Sequence, residues 1–121
     1  MSIELTNDLG GYANYNDHGW RAALGLALAY GWKPAGTEAP EQKGWGEWNG
    51  EYTSNSGQRI TPADAAQLAD ALDLALLDPE IPMCKNGVEP FPGAELLTAS
   101  FYRSALKEII ELCRYGPIRI D

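Results

Sequence analysis

Four carboxylates, Glu38, Glu41, Glu47 and Glu51, border an aromatic cluster of Trp45, Trp48 and Tyr52. Acids against an aromatic wall are the chemistry of glycoside hydrolysis, where an apolar neighbour keeps one carboxyl protonated while the other stays ionised. Such enzymes need a long cleft, and 121 residues leave little chain to build one. Solvated acids on a polar loop account for the same residues. His18 is the only histidine, which excludes a centre with several histidine ligands. At a helix start beside Asp17 it reads as a first-turn residue, or as a neutral base if the two line a cleft. Cys84 and Cys113 lack the spacing of a redox or zinc pair and read as reduced, structural thiols. Phosphate-binding glycine loops, a GxSxG elbow and an HExxH helix are all absent. No catalytic residue, metal or cofactor is expected, and a non-enzyme is the favoured reading.

Binding chemistry is better represented. Ile60 to Cys84 contains no lysine or arginine, while Asp64, Asp70, Asp73, Asp78 and Glu80 all fall there. Leu68, Leu72 and Leu76 make one apolar stripe at helical spacing, which leaves Leu74 and Leu77 on the far side among the acids. Leucines rimmed by one sign of charge suit a basic protein partner. The expected interaction face is therefore Asp70, Asp73, Leu74 and Leu77, contacting either the third helix of the chain or another protein. The alternative is an aromatic site at Trp45, Trp48 and Tyr52, since tryptophan and tyrosine are enriched among interface hot spots; the same rings could equally fill core volume.

These residues need elements to hold them. His18 to Trp32 is apolar nearly all round, the pattern of a central helix enclosed by others, with Asn16 or Asp17 as its cap. Thr61 caps a second helix with Pro62 at its first position and Asp64 three residues after the cap. A third helix follows Pro92-Gly93 and runs to about Arg114 or Tyr115, burying Leu97, Phe101, Ala105, Ile109 and Leu112, with Gly116 closing it. Glu47 to Ile60 is expected to contain an irregular strand or hairpin, and YTSNSGQRIT reads as a structural brace. The closing IRID is expected to pair with SIEL or with the Tyr52 segment. The predicted fold is thus mainly α, a single domain over residues 1–121 with packed helices around a central one and a minor β component.

The charge balance is 9 − 17 = −8. An acidic chain lacks the lysines and arginines that displace counterions from nucleic acid, and anionic lipid would repel it. No apolar run approaches the roughly 20 residues of a membrane span. The opening MSIELTNDLGG lacks the basic and apolar regions of a secretory signal, so the cytoplasm is the expected compartment.

Trp20, Leu24, Leu26-Ala27, Tyr30-Gly31-Trp32, Pro34 and Gly36-Thr37 form the first part of a pattern that continues through Trp48, Gly50, Tyr52, Asn55, Gly57-Gln58 and Ile60 to Asp64-Ala65, Leu68-Ala69 and Leu72. The pattern resembles a family of small bacterial proteins with no assigned activity, and the Cys113-Arg114-Tyr115-Gly116 ending fits it. The resemblance implies a bacterial source and a shared fold, and it carries over no functional residue. Two functions stay open: a small acidic protein that binds another protein, in a regulatory or immunity-like role, and a small enzyme or ligand binder using the Trp/Tyr-rich middle.

Overall fold

The computed structural model describes residues 2–40, 48–77 and 100–121, with the side chains of the last helix described from Arg103 onward. Two short strands, β1 (Ser2–Asn7) and β2 (Tyr12–Asn16), open the chain as a hairpin, followed by α1 (Asp17–Ala29), β3 (Gln58–Ile60), α2 (Pro62–Leu77), α3 (Ser100–Arg114) and β4 (Ile118–Ile120). The strands form one antiparallel sheet in the order β2-β1-β4-β3. Among the described residues, a four-stranded sheet packed with three helices is an α+β architecture, and it corrects the mainly α expectation.

Alternation makes the sheet one-sided. Ile3, Leu5, Ala13, Ile60, Ile118 and Ile120 are buried and join the apolar cluster of the helices, while Ser2, Asn14 and Arg119 on the intervening positions are exposed. Leu5 stands opposite both Ala13 and Ile120, so β1 carries the middle of the core face. β4 lies between β1 and β3: the tail pairs with both of the segments it was expected to choose between. The strand expected within Glu47–Ile60 is short: among the described residues of that stretch only Gln58–Ile60 is a strand, and its partner is β4, not a hairpin neighbour. Glu38 covers the outer edge of β3 through two backbone bonds with Arg59, of 2.7 and 3.2 Å.

The helices begin where their caps dictate. Asn16 Oδ1 accepts from Gly19 N at 2.6 Å, and Thr61 Oγ1 accepts from Asp64 N at 3.3 Å, satisfying donors that have no partner within the helix. Gly116 takes φ 107°, the left-handed turn that ends α3 and feeds β4. The enclosed central helix is also corrected. Trp20, Ala23, Leu24, Leu26 and Ala27 of α1 are buried, but Arg21, Leu28 and Ala29 are exposed. Alanine and a lone leucine cost little when left in water, so an apolar sequence did not require a wrapped helix.

Candidate functional site

The conspicuous aromatic and polar residues converge on a buried carboxylate. Asp64, in the first turn of α2, is 2% exposed. Its Oδ1 accepts from Trp32 Nε1 at 3.0 Å and from Ala35 N at 3.4 Å, and its Oδ2 accepts from the Tyr52 hydroxyl at 2.5 Å. A carboxylate in an apolar core requires such donors, because the same group without them would be strongly disfavoured there. Asp64 does not complete a capping box back onto Thr61; the helix start aims it inward instead.

Each donor is itself fixed. The Tyr52 hydroxyl accepts from Gly36 N at 2.8 Å, its carbonyl accepts from Trp20 Nε1 at 2.7 Å, and its ring meets Trp32 edge-on with centroids 5.1 Å apart. Thr37 Oγ1 donates to the Glu51 carbonyl at 2.6 Å and accepts from Trp48 Nε1 at 3.0 Å. Gln58, fully buried on the core face of β3, donates to the Ser54 carbonyl at 2.6 Å and accepts from Ser56 N at 3.0 Å. Burial first, and the bond to Asp64 second, push the Tyr52 hydroxyl well above the ordinary tyrosine range. The phenol is therefore a poor acid, held protonated as a donor to Asp64. This arrangement fastens residues 32–37 and 48–58 to α1 and α2.

Of the expected aromatic site, Trp48 and Tyr52 are half-buried within this network, and Trp45 lies outside the described residues. Glu38 is exposed and Glu51 half-buried; Glu41 and Glu47 lie outside the described residues, as do Cys84, Leu97, Asp78 and Glu80. Cys113 is a free, buried thiol, pushed up to about 12 by burial and secondarily by Asp64. Among the described residues no group of three histidine, cysteine or acidic side chains could hold a metal ion. No described helix is long and apolar enough to cross a membrane.

The two leucines of α2 that lie off its main stripe fall on the surface rather than against the third helix. Leu74 is 57% and Leu77 73% exposed. Asp70 and Asp73 meet the third helix: Arg114 donates Nη1 to Asp70 at 3.0 Å and Nη2 to Asp73 at 2.9 Å. Arg103 donates to the Leu76 carbonyl at 2.7 Å, closing the end of α2. Between α2 and α3 lies a hollow of about 540 Å³ floored by Leu76 and Ile110, with Leu77 and Lys107 at its sides. Asp70 and Asp73 thus face one cation of the same chain, Arg114, while the two leucines are exposed.

The sequence reading missed the role of Asp64. Its signal was available: Asp64, Leu68 and Leu72 recur every four residues, which places the acid on the buried stripe and not with Asp70 and Asp73. No protein-family model matches the chain, and no curated protein or solved structure is similar to it at a significant level.

Proposed function

We propose that this chain is a non-enzymatic protein of the bacterial cytoplasm that acts by binding another protein, in a regulatory or immunity-like role. The observation that supports this reading is the contrast on α2, where Asp64 is engaged inside while Leu74 and Leu77 stand exposed, Leu77 at the edge of the α2–α3 hollow. Exposed leucines on a helix that borders a shallow groove suit a docking surface, with Asp73 on the groove's lining and Asp70 beside it on the helix. The overall charge of −8 favours a basic partner through long-range attraction. The alternative reading as an enzyme or ligand binder has less support, because Trp48 and Tyr52 are held by internal hydrogen bonds.

Photo-crosslinking side chains placed at Leu74 or Leu77, in cells of the source bacterium, test the reading. A discrete crosslinked protein from both positions, and none from the equally exposed Leu28 of α1, is the expected result. Crosslinks of the same pattern from all three positions, or from none, would overturn it. Leu77→Asp should keep the melting temperature and abolish the crosslinked product.

A further inference from the structure

A second hollow, of about 350 Å³, lies between α3 and the β1–β2 turn and adjoins the first at Glu111 and Tyr115. Leu9, Tyr12, Leu112 and Tyr115 supply its apolar walls, and Glu108 and Glu111 stand at its rim. Leu9 is 73%, Tyr12 57% and Tyr115 56% exposed, an unusual concentration of uncovered apolar surface around one small depression.

The depression is built rigidly. Asn7 Oδ1 accepts from Leu9 N at 3.1 Å and from Gly11 N at 2.7 Å, closing the turn, while Asn7 Nδ2 donates to the Leu112 carbonyl at 3.3 Å and ties that turn to α3. Gly11 sits close to α3: a Cβ there would stand 2.5 Å from Leu112 Cδ2, so that side chain would have to shift. At the rim, the Tyr15 hydroxyl donates to Glu108 Oε2 at 3.1 Å, and the Tyr12 hydroxyl to Glu4 Oε1 at 3.3 Å. Glu111 has no such partner among the described residues.

The two hollows share Glu111 and Tyr115 but differ in their cations: Arg103, Lys107 and Arg114 line the α2 side, whereas among the described residues none of those lining the hairpin side is a lysine or arginine. Two aromatic faces and two carboxylates around an apolar floor recognise a cation on an aliphatic stem: the stem lies on leucine and tyrosine, and the charge meets π-faces and carboxylates. The volume sits at the bottom of the range for ligand pockets, which suits a side chain better than a free cofactor. We infer that the hollow between the β1–β2 turn and α3 docks an arginine or lysine presented by a partner protein, a contact centred on Leu9, Tyr12 and Glu108, which the α2-side hollow does not share.

The test titrates ¹⁵N-labelled protein with a capped synthetic peptide alternating arginine and leucine, and with its counterpart carrying glutamate in place of arginine. The expected result is that the amides of Leu9, Tyr12, Glu108, Glu111 and Tyr115 shift with the arginine peptide alone, and that added salt diminishes the shifts. Combining Glu108→Gln with Glu111→Gln should weaken binding about tenfold at unchanged melting temperature, since glutamine still accepts from Tyr15. Leu9→Ser, at an exposed turn position, should weaken it as well, whereas Asp70→Asn should not. Equal binding of both peptides, shifts spread over every acidic surface, or no binding at millimolar peptide would overturn the inference.

Discussion

Asp64 and Glu111 are both acids on helices beside tyrosines, and they have opposite surroundings. Asp64 is enclosed and accepts from Trp32, Tyr52 and Ala35. Glu111 is exposed at the edge of an apolar hollow. The difference teaches that in a small core the residues most suggestive of chemistry are those that folding uses first. Binding capacity is left to side chains that look ordinary in the sequence, such as Leu9, Tyr12 and Tyr115.

The strongest way to break the comparison is to remove the buried acceptor. Asp64→Ala would leave Trp32 Nε1 and the Tyr52 hydroxyl without their partner in the interior. The expected loss is about 3–5 kcal/mol, from the charged hydrogen bonds and the stranded donors together. Thermal unfolding measures it. A variant as stable as the parent would show that Asp64 is not a structural hub and would reopen a functional role for it. Gly11→Ala comes next, because Leu112 and the Asn7 side chain both lie within 3 Å of the new methyl group. Overpacking of this kind costs about 1–3 kcal/mol, and it should also distort the hairpin hollow. Peptide binding at the hollow should therefore fall with stability for Gly11→Ala, but remain for a destabilised cap variant.

That cap variant is Thr61→Ala, which removes the oxygen that accepts from Asp64 N and should cost about 1 kcal/mol. Its effect should be confined to stability, since Thr61 lies at neither surface hollow. Alkaline pH then separates interior from surface without mutation. The buried Cys113 thiol rises from 9.0 to about 12, so the folded state holds that proton after the unfolded chain has released it. The associated stability is complete below pH 9 and is lost as pH climbs from 9 towards 12. Tyr52 is raised in the same sense and adds to the loss above its ordinary value. Melting curves in that window should flatten in Cys113→Ala, and an unchanged slope would contradict the burial of the thiol.

Much of this division was legible. Thr61-Pro62 fixed the start of α2, Gly116 the end of α3, and the polar residues of YTSNSGQRIT announced a brace that Gln58 now carries out. The sheet was harder to read. β1 and β2 bury only Ile3, Leu5 and Ala13 outright, and strands of three residues such as β3 and β4 leave too short an alternation to distinguish from loop. Their pairing joins residues far apart in sequence, and the second hollow exists only where that pairing sets the β1–β2 turn against α3. Leu74 and Leu77, by contrast, were placed by the period of one helix.

The smallest expected effect concerns the other acidic pair. Arg114 bridges Asp70 and Asp73, and its guanidinium is held more firmly protonated by those two bonds. The side chains are 40%, 67% and 46% exposed respectively, so water and salt screen the attraction. Exposed pairs of this kind contribute roughly 0.2–1 kcal/mol each. Arg114→Met should accordingly lower the melting temperature only slightly in dilute buffer and by nothing measurable in high salt. The substitution nevertheless alters the surface: it removes the internal cation that faces Asp70 and Asp73 and leaves both carboxylates open to a partner. If the α2 face recognises a basic protein, Arg114→Met should strengthen that contact while the hairpin hollow, which Arg114 does not line, keeps its affinity for the arginine peptide. Equal changes at both would mean that the two surfaces share one electrostatic field rather than forming separate contacts, and the contrast between them would fail.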